Sequence, residues 1–139
     1  MIRNSEGTVL LSAWQVISQS SCAEEVELMA CREGVALAAE WTPLPAILES
    51  DCLSAIQLLS KAGEQRSPSM FLVKEICDLA RGMPSIRFHH VKREQNVGAH
   101  ELAQLTKWLF HSAVWCNCVP TCVEQLVAHD CNPVLLSNQ

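Results

Sequence analysis

The densest run of metal-capable side chains lies near the carboxyl end. Cys116, Cys118 and Cys122 are followed there by His129 and Cys131. Thiolates and imidazoles suit zinc, but this spacing is not one of the common structural zinc patterns. The thiols are therefore read as free side chains of a tail. His89 and His90 are adjacent, and neighbours on a strand point to opposite faces, so they do not easily share an ion. Arg87, Lys92 and Arg93 form a small basic patch that suits either a phosphate backbone or a solvated edge, the latter being the reading preferred. Two acids stand out by position. Glu27 sits inside an apolar helical run, and Asp51 directly follows an apolar strand-like run. Taken alone, Glu27 is a solvated helix acid among Glu24, Glu25, Glu33 and Glu40. Asp51 taken alone is a helix N-cap, and His100 a partly buried polar residue.

These side chains need elements to position them. The chain has 139 residues, which fits one domain able to bury a core. Hydrophobic residues make up 49% and charged residues 18%, which excludes a disordered chain. The net charge of −5 argues against tight non-specific binding to free nucleic acid. The run Val9-Leu10-Leu11 is too short for a signal-peptide core, and no stretch reaches the ~20 apolar residues of a membrane span. The expected compartment is reducing, cytosol or nucleus, with all eight cysteines as thiols. Cys31 and Cys77 are read as small core residues within helices.

Met1-Ile2-Arg3 reads as a strand, Asn4 to Gly7 as a turn, and Thr8 to Trp14 as a second strand that the apolar pair Val16-Ile17 would extend. Ser21 with Glu24 has capping-box spacing. A helix follows to Trp41, with Ala23, Val26, Ala30, Leu37 and Trp41 on one side and Pro43 and Pro45 ending it. Ala46-Ile47-Leu48 lacks polar alternation and suits a strand buried on both faces. Helices are expected from Cys52 to Ala62, closed by Gly63, and from Ser67-Pro68 to Gly82. The latter carries a stripe of Met70, Val73, Ile76, Cys77 and Ala80. Ser85 to Lys92 alternates as a strand, and Asn96 caps a helix to Trp115. A short amphipathic piece, Cys122 to Ala128, follows between Pro120 and Pro133. The four tryptophans, Trp14, Trp41, Trp108 and Trp115, are expected in or at the edge of the core. The order is α/β with an antiparallel opening hairpin.

Three segments, EEVELMACREGVALAAEW, AILESDCLSAIQLL and IRFHHVKREQNVGAHELAQLT, together resemble the ribonuclease H-like domain of the plant retroelement, or reverse-transcriptase-like, type. The hairpin IRNSEGTVLL resembles that family's second and third strands, and the likeness runs from Met1 to about Thr106. It implies a ribonuclease H-like mixed sheet flanked by helices, with the first, central strand missing. The domain would span residues 1–115, followed by a tail at 116–139. The resemblance also implies hydrolysis of the RNA strand of RNA–DNA hybrids at two Mg²⁺ (or Mn²⁺) ions. By that resemblance Glu27, Asp51 and His100 match three of the four ligand positions, and they are expected to face one cleft at the carboxyl end of the Ile47 strand.

This chain departs from the family at two of those positions. The first-strand Asp has no counterpart, and His100 stands where catalytic members have Asp. Imidazole suits Mn²⁺ or Zn²⁺ better than Mg²⁺, so metal binding is expected to be weak. The segment KREQN before the last helix also carries no His. The reading is a degenerate nucleic-acid-binding domain. The alternatives are a non-catalytic nucleic-acid or protein interaction module and a retroelement-derived fragment.

Overall fold

A computed structural model describes residues 1–17, 19–61, 66–109 and 111–130. The chain divides into two compact units, residues 17–91 and residues 1–16 with 92–139.

In the unit of residues 17–91, helix α1 (Ala23–Trp41) leads into strand β3 (Ala46–Ser50). Helix α2 (Leu53–Ser60), helix α3 (Met70–Ala80) and strand β4 (Ile86–His90) follow. β3 and β4 pair in parallel, from Ala46 beside Ile86 to Ser50 beside His90. The core joins Leu28, Cys31, Val35 and Ala38 of α1 to Ala55, Ile56, Leu58 and Leu59 of α2 and to Leu72, Val73 and Ile76 of α3. At 0% exposure, Leu28, Leu72 and Ile76 lie at its centre.

Several local expectations are corrected here. The buried stripe of α1 is not the one through Val26 and Leu37; Ala23, Ala30 and Trp41 are exposed, Trp41 by 55%. The helix is apolar on more than one side, and packing against α3 selects the Leu28–Ala38 face. Its cap is Cys22 rather than Ser21, and Ser21 donates from both its N–H and its hydroxyl to Glu25 instead of pairing with Glu24. That hydroxyl bond holds the Glu25 carboxyl below its ordinary pKa. β3 is not buried on both faces. Ile47 and Glu49 are exposed, Ile47 by 48%, because the helices of this unit cover one side of the sheet. α2 is capped at Cys52 rather than Asp51. Its expected end at Ala62 and Gly63 lies outside the described residues. α3 begins later than expected: Ser67 instead forms a turn, its carbonyl accepting from Met70 N–H at 3.1 Å, and Ser69 is the cap.

In the other unit, strands β1 (Ile2–Arg3), β2 (Val9–Trp14) and β5 (Ala113–Cys116) form an antiparallel sheet in the order β1-β2-β5. The β1–β2 turn follows its residue types. The Asn4 side-chain oxygen accepts from the N–H groups of Glu6 and Thr8, and Gly7 takes φ of 83°. β2 stops at Trp14, because the Val16 N–H goes to the Ser112 hydroxyl rather than to a ladder. Helix α4 (Val97–Leu109) ends before the expected Trp115, and residues 113–116 cover the edge of β2 instead. Helix α5 (Glu124–Asp130) packs on α4. Trp14, Leu102 and Val123 form the core, with Leu105, Trp115 and Val119 against it. Trp14 and Trp115 stack at 4.2 Å, whereas Trp108 is 79% exposed and is not a core residue.

Together the elements make a mixed α/β architecture of parallel and antiparallel strands, consistent with the expected ribonuclease H-like fold. No helix among the described residues is long and apolar enough to cross a membrane.

Candidate carboxylate site

Parallel strands bring their carboxyl ends to one edge of a sheet, and loops there carry polar side chains. β3 ends in Ser50, which is 5% exposed. Its hydroxyl donates to Glu27 Oε2 at 3.2 Å and accepts from the Cys52 N–H at 3.1 Å. Its carbonyl accepts from Val91 N–H at 3.0 Å. One serine therefore ties α1, the end of β3, the start of α2 and the end of β4 together. Glu27 and Asp51, both half-buried, flank this hub through space and through the chain respectively. His90 stands beside Ser50 in the strand register.

Cys31 lies one turn beyond Glu27 and is buried. Burial, and then the negative charge of Glu27, push its thiol up to about 12. The raised value favours the protonated folded form. Cys31 thus contributes stability that is full below the ordinary value of 9.0 and is lost as pH rises toward 12. Since the thiolate is the reactive form, Cys31 in native protein at pH 8 should alkylate at least ~100-fold more slowly than in unfolded protein. Mass-spectrometric labelling rates check this; equal rates would contradict the burial. The seven cysteines of the described residues are free thiols, and Cys131 lies outside them. Denaturing, non-reducing thiol titration of freshly purified protein should count all eight.

The structure brings Glu27 and the Ser50–Asp51 turn together in one unit. His100 lies on α4, in the other unit. It is half-buried, and the Gln104 amide nitrogen is 3.2 Å from its Nε2. If Nε2 accepts that bond, the ring proton sits on Nδ1. The exposed face of β3–β4 carries Ile47 beside Arg87 and Glu49 beside His89. Ser50 is the member of the cluster that the motifs did not single out, whereas Cys31, expected in the core, is buried there. The signal available was a hydroxyl directly before Asp51 at the end of a strand.

A two-ion centre takes oxygen donors from several converging carboxylates. Among the described residues, no three His, Cys, Asp or Glu side chains come together as a metal-binding group. Within the unit of residues 17–91 this site offers two carboxylates, Glu27 and Asp51, fewer oxygen donors than a two-ion centre takes.

The sequence matches the reverse transcriptase-like family over residues 1–106, which covers all of the elements from β1 to most of α4. No curated protein and no solved structure matches the chain. With the strand and helix order above, this places the chain in the reverse transcriptase-like family, as a ribonuclease H-like domain of retroelement type.

Proposed function

We propose that this chain is a degenerate ribonuclease H-like domain, one that engages nucleic acid of the RNA–DNA hybrid type without turning it over. The observation that carries the reading is the grouping of Glu27 with the Ser50–Asp51 turn at the end of a parallel strand, within a chain of this family. Two carboxylates remain where the family's site would be, while His100 replaces the acid expected on the last helix. The exposed Arg87 and His89, on the open face of the same sheet, supply donors for a phosphate backbone. Contacts this few, on a chain of net charge −5, support weak and salt-sensitive binding.

Fluorescence anisotropy with a labelled RNA–DNA hybrid should give a Kd of ~10⁻⁴–10⁻⁶ M that weakens with added salt. Arg87→Ala should weaken it further. Cleavage in Mg²⁺ should be absent, and unchanged in Asp51→Asn. Cleavage that Asp51→Asn abolishes would overturn the degenerate reading, and absence of hybrid binding at low salt would favour a protein-interaction module. With Glu27 and Asp51 as its oxygen donors, any divalent ion should bind weakly. Calorimetric titration showing tight Mg²⁺ binding would contradict this.

A further inference from the structure

Residues 113–130 lie beyond the family match, and they carry three exposed thiols on a firmly held scaffold. Cys116 ends β5 opposite Leu11. Asn117 follows with φ of 57°, in the left-handed region that Asn enters more readily than most residues. Its N–H donates to the Leu10 carbonyl at 2.8 Å. The Cys118 carbonyl accepts from the hydroxyl of Ser12 at 2.7 Å, and Ser12 is 0% exposed. The turn between the two cysteines is thus anchored to β2 on both sides, while Cys116 and Cys118 are themselves exposed. Two residues apart, their Cα atoms lie within about 7 Å even in extended chain. The left-handed bend at Asn117 shortens that separation toward the ~4.4–6.8 Å a disulfide bridges. Cys122 lies past Pro120 in a 3-10 turn, Thr121–Val123, whose Val123 is fixed in the core.

We propose that Cys116 and Cys118 form a reversible dithiol–disulfide couple, a redox-modification site on the outer edge of the β1-β2-β5 sheet. Oxidised glutathione is a sufficient oxidant. The thiolate of one cysteine attacks the glutathione disulfide and releases one glutathione thiolate. The thiolate of the other attacks the mixed disulfide and releases the second. Two protein thiols and one oxidised glutathione become one protein disulfide and two reduced glutathiones, the two thiol protons passing to the released thiolates. The ring closed across one residue is small and solvent-facing, which are the features of a labile bridge rather than a structural one. Cys31, buried and held protonated, takes no part.

The test equilibrates the native 139-residue chain in glutathione buffers of graded oxidised-to-reduced ratio, alkylates it, and weighs the tryptic peptide 108–139. In the wild type that peptide should lose two alkylations, without gaining glutathione, and recover both on reduction. Cys116→Ser and Cys118→Ser should each abolish this paired loss, while Cys122→Ser and Cys131→Ser leave it intact. Circular dichroism of each variant verifies that the fold is kept. A stable glutathione adduct in place of the paired loss, or a bridge that requires Cys122 or Cys131, would overturn the proposal. So would a peptide that keeps every thiol at oxidising ratios.

Discussion

Ending the chain after Leu109 is expected to unfold the unit built on the opening hairpin, although the family match ends at residue 106. The truncation removes β5 and α5. With them go Val123 and Val127, buried to 2% and 5% exposure. Burying a valine side chain contributes roughly 1.5–3 kcal/mol. Trp14 also loses its stacking partner Trp115 and the carbonyl of His111, to which its Nε1 donates at 2.7 Å. Ser12 loses the Cys118 carbonyl. The sum is on the order of 5 kcal/mol or more, comparable to the whole stability of a small domain, ~5–15 kcal/mol. Hydrogen exchange should show the β2 amides protected in the full chain and unprotected in the truncated one, with Trp14 emission shifted to the red. Persistent β2 protection after truncation would show that the segment decorates the fold rather than completing it.

Joining a strand of the family's first-strand type to the amino terminus is expected to raise the melting temperature by ~10 °C or more. The described strands fall into two separate sheets, one of three strands and one of two. Parallel sheets are normally interior and larger, and two strands alone are marginal. A five-residue strand that pairs with an edge of either sheet adds about five hydrogen bonds at ~0.5–1.5 kcal/mol each. Ordering its backbone offsets part of this. A net gain of a few kcal/mol corresponds to a shift of this size for a domain of this length. The chain as it stands should be marginal and prone to associate through its sheet edges. If the extended and unextended chains melt together and both stay monomeric in light scattering, the argument from the separate sheets fails. If the added strand carries Asp, any gain of Asp51-dependent hybrid cleavage would count against the degenerate reading.

Much of this was legible in the residues. Asn4 and Gly7 announce the first turn because a side-chain oxygen and a positive φ are local properties. Pro43 and Pro45 stop α1 for equally local reasons, and the alternation of Ile86 and Phe88 marks β4. The order of motifs was enough to indicate the family, and it singled out Glu27 and Asp51. What pairs with what was not local. Ala-Val-Trp-Cys at 113–116 continues a helical pattern as readily as it starts a strand, and only the exposed edge of β2 decides for the strand. α1 is apolar on more than one side, so its partner α3 chose which stripe to bury and left Trp41 in solvent. The same holds for Trp108, whose size argued for the core but whose position on α4 faces nothing in its unit. Ser50 gained its role only when α1, β3, α2 and β4 met around one hydroxyl. Turn and cap chemistry is written within a few residues, whereas burial depends on which surfaces meet, and that is settled only when the whole chain packs.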